Sequence, residues 1–133
     1  LIVVVGHNRC AAVQSAIDSA HGKQHPYIRE CEYLKPIVQS IESVVRESDS
    51  QNRHALDGKE TKDRSDTDNI VRLNIQRSVR EILQKSTAIS ALVESGQIGI
   101  VGMMYDVTTG ICHVMNETSY GIGTIEPEAS HET

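Results

Sequence analysis

The chain opens on five apolar residues, Leu-Ile-Val-Val-Val, with no polar position between them. A strand wetted on one face alternates apolar and polar residues. An unbroken, mostly β-branched run predicts a strand buried on both faces, as in a parallel sheet covered by helices. Gly6 then lets the chain leave the sheet sharply. The period changes over residues 11–20, where Ala12, Val13, Ala16, Ile17 and Ala20 share one face of a short helix that packs on the sheet. Gly22 stops that helix, and His21 and His25 fall in the Gly- and Pro-containing loop beyond it, where they read as solvated.

Residues 27–48 read as mostly helical. Pro36 suits a first turn, and Ile37, Val38, Ile41, Val44 and Val45 form the apolar stripe. Residues 49–66 hold Ala55 and Leu56 as their only aliphatic side chains, so they read as a long solvated loop that carries His54. Thr67 or Asp68 can cap the next helix, which runs to about Lys85. Val71, Ile75, Val79 and Ile82 or Leu83 mark its buried side. Arg72, Arg77 and Arg80 make its other side a basic, solvated face with acids such as Glu81 nearby. Ser86 can cap a further short helix with Ile89, Leu92 and Val93 inward, ending at Gly96. Residues 98–105 predict a second strand. Asp106-Val-Thr-Thr-Gly110 turns it, and residues 111–115 return antiparallel. From Asn116 onward the chain reads as a polar tail.

Composition narrows the picture. A chain of 133 residues is expected to form one domain, and with no Trp or Phe its core must be aliphatic. The formal charge of −5 argues against nucleic acid, which calls for a basic face. The longest apolar run is far too short to span a membrane; a soluble protein is expected, with the cytoplasm favoured. Three Cys without framework spacing suggest reduced thiols or metal ligands rather than a disulfide scaffold.

The candidate chemistry sits directly after the first strand. His7 ends it, at the carboxyl end of a strand, where the crevice of an open α/β sheet binds ligands, and Cys10 lies at the start of the following helix. Imidazole and thiolate are both good zinc ligands, and helix N-termini favour thiolates. The pair alone has low specificity: with 6 His and 3 Cys, about 0.14 His-x-x-Cys pairs arise by chance. A buried Cys beside a hydrogen-bonded His reads the same way. Cys112 and His113 are adjacent on a strand, so they point to opposite faces and do not readily share a metal. Cys31 reads as a small packed apolar group, with a replacement metal ligand as the other reading.

In context, Val5-Gly-His-Asn-Arg-Cys-Ala-Ala-Val13 resembles the Gly-His-x-x-Cys-Gly-Gly/Ala segment of β-class carbonic anhydrases. Gly96-Gln-Ile-Gly-Ile-Val-Gly-Met-Met-Tyr-Asp-Val-Thr-Thr-Gly110 resembles that family's last strand pair. Residues 69–86, with Asn74, resemble the helix between. The resemblance covers about residues 1–115, leaving 116–133 as tail. It implies an α/β fold: a mostly parallel sheet of four strands, flanking helices and a final antiparallel strand. It also implies Zn²⁺ held by His7 and Cys10, a substrate pocket lined by the backbone of Ala11 and Ala12, and a homodimer or higher homo-oligomer. The activity implied is reversible hydration of carbon dioxide to bicarbonate by a zinc-bound hydroxide.

Two departures qualify it. Ala11 stands where the family usually has Gly. The family's third zinc ligand, a Cys from a Cys-x-Asp-x-Arg segment on an earlier strand, has no counterpart, nor does that segment's Asp or Arg. The chain is therefore expected to be the carboxyl-terminal part of a longer protein, with the fold incomplete at its N-terminus and no catalytic residue assigned within it. Three readings follow: a carbonic anhydrase (or a CS₂ or COS hydrolase on the same scaffold) completed by further residues, a non-catalytic interaction or regulatory module of the same fold, and an unrelated α/β binding domain.

Overall fold

A computed structural model of the chain describes residues 1–23, 31–55 and 64–124, apart from the side chains of 52–55 and 64–66. In chain order the elements are strand β1 (Ile2–His7), helix α1 (Ala11–Ala20), a 3₁₀ turn (Glu32–Leu34), helices α2 (Lys35–Ala55), α3 (Arg64–Lys85) and α4 (Thr87–Glu94), and strands β2 (Ile100–Tyr105) and β3 (Cys112–Tyr120). The α/β class and the final antiparallel strand agree with expectation. The chain forms two compact units, residues 1–6 with 75–133 and residues 7–74.

The first unit holds a mixed three-stranded sheet in the order β1-β2-β3. These three are the strands found among the described residues, where the resemblance implied five. Ile2 N–H donates to the Gly99 carbonyl at 2.8 Å. Val79 of α3, Val93 of α4 and Ile100 of β2 are buried together, and Ile2, Val4, Ile82, Leu83, Ile89 and Ile98 pack on them. The core is aliphatic, as a chain without Phe or Trp requires. Ser86 caps α4 as expected: its hydroxyl accepts from Ile89 N–H at 3.3 Å. On α3, Arg77 and Lys85 both pair with Glu81, at 2.8 and 2.7 Å, so part of the basic side is a solvated ion-pair ladder. Hydrogen bonds from Lys85 and then Arg77 hold the Glu81 carboxyl below its ordinary range.

Two expectations in this unit are corrected. The apolar run at the N-terminus is not buried on both faces: exposure alternates, and Leu1, Val3 and Val5 are open at 70%, 40% and 57% while Ile2 and Val4 face the core. β1 is an edge strand, and no described element covers its second face. The returning strand does not stop at Met115 but continues to Tyr120, so residues 116–120 are strand rather than tail; residues 125–133 lie outside the described set.

The reason lies in a break of register. Ile100 faces Tyr120 and Gly102 faces Met115, so β3 advances five residues while β2 advances two. Thr118, 3% exposed, ties this bulge together. Its hydroxyl accepts from Gly102 N–H at 2.7 Å and donates to the Met115 carbonyl at 2.6 Å. A side chain at Gly102 would collide with Ile75 Cγ2 and with the Thr118 hydroxyl. A polar run that carries its own internal hydrogen bonds looks like a tail in sequence, because the bonds cannot be read from residue type.

The second unit is helical. α1 packs against α2, and Val13, Ala16, Val38, Ile41, Val44, Val45, Ile70 and Val71 are buried. Ile37, expected in the stripe, is 53% exposed, since it lies at the start of α2 beside exposed Tyr33 and Leu34. The polar stretch predicted as a loop over 49–66 is largely helical at its ends: α2 runs on to Ala55 and α3 begins at Arg64. Polarity there marks a wet helix surface, not absence of helix. Residues 56–63 lie outside the described set, as does His25; His54 is in α2, its side chain not described. His21 sits at the C-cap of α1 and its Nε2 lies 3.2 Å from Asp49 Oδ2 on α2, an exposed contact between the two helices.

Two neighbouring hydroxyls on β3 should respond oppositely to removal. Thr118→Val leaves the buried Gly102 N–H without its acceptor and is expected to lower unfolding stability by about 1–3 kcal/mol. Ser119 Oγ is buried with no hydrogen-bond partner among the described residues, so Ser119→Ala removes an unmet desolvation cost and is expected not to destabilise. Urea unfolding of the two variants against the parent checks both; equal losses would contradict the assignment of Thr118 as the tie.

Candidate functional site

Three residues separate the end of β1 from α1, and they place the candidate ligands. His7 is the last residue of β1 and is exposed. Its Nδ1 lies 2.9 Å from the Asn8 carbonyl oxygen. A carbonyl only accepts, so Nδ1 carries the proton in the neutral ring, and the Nε2 lone pair is left for a metal or another donor. Cys10 is the N-cap of α1, in extended conformation with φ −69° and ψ 115°, and makes no side-chain cap hydrogen bond. It is a free, half-buried thiol.

Arg9, between them, has φ +56°. That is the left-handed region, uncommon for a residue with a Cβ. No Gly occupies the position, so the turn holds a strained backbone where the chemistry is expected.

Cys10 opens onto a cavity of about 530 Å³ lined by Asn8, Arg9, Cys10, Ala11, Gln14, Thr67 and Asp68. Of the residues proposed from sequence, Cys10 and Ala11 line it; His7 and Ala12 are not among its lining residues. The far wall comes from the first turns of α3. Thr67 Oγ1 donates to Gln14 Oε1 at 3.0 Å, joining α3 to α1, and Gln14 Nε2 points to Asp18 Oδ1 at 3.4 Å. Thr67 and Asp68 were expected to cap α3; the helix instead begins at Arg64, and they lie inside it. Their role at the cavity was invisible in sequence, because more than fifty residues separate them from Gln14. Arg9 and Gln14 could have been suspected from their nearness to Cys10.

Among the described residues, no group of three or more His, Cys, Asp or Glu side chains could hold a metal ion. His7 and Cys10 are zinc ligands in kind, one imidazole with a free Nε2 and one thiol, but they make two donors where a structural or catalytic zinc site uses three or four. Cys31 is half-buried at the N-cap of the 3₁₀ turn. Cys112 and His113 are both exposed on β3, and Cys112 is a free thiol. No helix among the described residues is long and apolar enough to cross a membrane.

A family model described as carbonic anhydrase matches residues 1–112. Two solved structures share the fold. One, of tetrameric β-carbonic anhydrases from the filamentous ascomycete Sordaria macrospora, is 16% identical with a TM-score of 0.62 and is matched over 86% of this chain and 51% of its own. The other, the β-carbonic anhydrase CafA of the fungal pathogen Aspergillus fumigatus, is 24% identical with a TM-score of 0.59, over 95% of this chain and 50% of its own. The chain thus spans about half the length of the solved structures it matches. A comparison with curated proteins finds no match.

The strain at Arg9 gives a test of the turn. Arg9→Gly is expected to leave stability unchanged or raised, and Arg9→Ile to lower it by about 1–2 kcal/mol, because a β-branched residue tolerates positive φ worst. Thermal unfolding of the two variants measures the difference; an Arg9→Ile protein as stable as Arg9→Gly would contradict the left-handed turn.

Proposed function

This chain belongs to the β-carbonic anhydrase family, and on that premise we propose that it contributes His7 and Cys10 to a zinc site for the reversible hydration of carbon dioxide to bicarbonate. The observation that carries the reading is the state of the His7–Cys10 step: an imidazole whose Nδ1–H is taken by a backbone carbonyl and a free thiol that lines a cavity. Among the described residues no third protein donor joins them.

Zinc, when bound, supplies a strong positive centre that acidifies water and so provides a nucleophile for the carbon of CO₂ near neutral pH. The chain's own residues set the conditions. The Asn8 carbonyl fixes the His7 tautomer and ring plane, so Nε2 is the ligating nitrogen. Cys10, as a thiolate, offsets one positive charge of the metal. Backbone at Ala11, and Ala12 behind it, borders the space open to a small uncharged substrate. Ala11 in place of the family's usual Gly narrows the approach by one methyl group, which bears on whether CO₂, COS or CS₂ is preferred. A homodimer or higher homo-oligomer is part of the same proposal; the Sordaria relative is described as tetrameric.

A second reading, a non-catalytic module of the same fold, is favoured by one observation: among the described residues the donor set is incomplete. Zinc analysis of the purified protein, with stopped-flow CO₂ hydration on the same sample, separates the two. The enzyme reading expects stoichiometric zinc and hydration activity, both lost in His7→Ala and Cys10→Ser proteins. A folded protein without zinc or activity selects the module, and zinc retained in both variants contradicts the ligand assignment.

A further inference from the structure

The cavity beside Cys10 is lined by charges of both signs that do not pair with one another. Arg9 projects from the strained turn, and Asp68 comes from α3. Among the described residues neither enters an ion pair: the salt bridges found involve His21, Lys23, Arg46, Arg77 and Lys85. Gln14 stands with them; its amide oxygen accepts from Thr67 and its Nε2 donates one hydrogen to Asp18 at 3.4 Å, so its orientation is set and the second N–H of the amide is the one left to donate. A guanidinium, an amide donor and a carboxylate acceptor therefore border one space of about 530 Å³, ample for a four-heavy-atom anion with its water.

Such a set discriminates among small anions. A guanidinium presents two parallel N–H donors that match the two oxygens of a planar carboxylate-like group. A carboxylate bordering the same space repels simple anions but accepts a hydrogen bond from an anion that carries its own O–H. Bicarbonate has both features: a delocalised pair of oxygens and one hydroxyl. Nitrate and formate have the oxygens without the hydroxyl.

From this we propose that Arg9 and Asp68 form a bicarbonate-binding pair beside the candidate metal site, with Arg9 holding the carboxylate edge and Asp68 accepting from the hydroxyl. The inference rests on the reading of the chain as a bicarbonate-handling protein, and it assigns to two residues outside the ligand set the recognition of the product. It also gives a purpose to the left-handed backbone at Arg9: the strain is retained at a residue that borders the cavity.

The test uses the full chain stripped of metal with a chelator, so that binding does not depend on zinc. ¹³C-bicarbonate binding is followed by NMR line broadening, with formate and nitrate as competitors and circular dichroism as the check on folding. Bicarbonate is expected to bind the metal-free protein and to be displaced poorly by formate or nitrate. Arg9→Gln should weaken it about tenfold or more, as loss of a charge-assisted contact does, and Arg9→Lys should recover only part, having the charge without the fork. Asp68→Asn should narrow the preference for bicarbonate over formate. If Arg9→Gln disturbs folding, Asp68→Asn, a near-isosteric change at a half-buried position, carries the test alone. Bicarbonate affinity unchanged in Arg9→Gln, or an equal preference for formate in the parent, overturns the proposal. The two readings fail separately: a protein that never binds zinc but keeps Arg9-dependent bicarbonate binding loses the hydration reading only, and a zinc-loaded active protein indifferent to Arg9→Gln loses this one only.

Discussion

The chemistry proposed for this chain depends on a three-residue step, from the imidazole that ends β1 to the thiol that begins α1. The step is short enough that its backbone must turn inside it, and the turn falls on Arg9, in the left-handed region at φ +56°. One consequence is at His7, whose Nδ1 meets the carbonyl of the next residue and whose Nε2 is thereby the nitrogen with a lone pair. Another is at Cys10, held extended as the N-cap with its thiol uncommitted to capping. A third is that Arg9 borders the same cavity as Cys10. Ligand geometry, thiol availability and cavity charge all follow from how the chain passes those three bonds.

Each side of the step is packed within its own unit. On the N-terminal side, Ile2 and Val4 are anchored in the Val79, Val93 and Ile100 cluster. On the C-terminal side, α1 buries Val13 and Ala16, small enough for close approach to α2. The Thr67–Gln14 hydrogen bond fixes the wall of the cavity that α3 supplies. The exposed outer face of β1 is the exception: Leu1, Val3 and Val5 form an apolar stripe on an edge strand, the kind of surface that proteins ordinarily cover.

Much of this was legible in sequence, and the failures share a cause. β1, α1, α4 with its Ser86 cap and the turn at Asp106–Gly110 are specified locally, by apolar period or by a residue type with one strong preference. The turn is built as read: Asp106 Oδ1 accepts from Thr108 N–H at 2.8 Å, and Gly110, at φ +76°, donates its N–H to the Asp106 carbonyl. His7 and Cys10 drew notice as candidates because chemistry and spacing coincide in one stretch, and they remain a proposal. The ends of α2 and α3 were missed because polarity was taken for loop, when it reported only the wet face. The last five residues of β3 were missed because Thr118 makes its decisive bonds to Gly102, sixteen residues away. Thr67 and Asp68 suited a cap by type, and only folding shows that they face Gln14 and the cavity instead. The burial expected on both faces of β1 was a statement about neighbours, which no residue of the strand itself encodes.

The proposed function turns on Cys10 as a metal-binding thiolate. Cobalt(II) substitution tests it most directly, because a thiolate bound to cobalt gives an intense near-ultraviolet charge-transfer absorption that oxygen and nitrogen ligands do not. The account predicts that band in the cobalt-loaded protein, weakened in Cys10→Ser and unchanged in Cys31→Ser and Cys112→Ser. A band indifferent to Cys10→Ser, or cobalt bound with no such band, would contradict it.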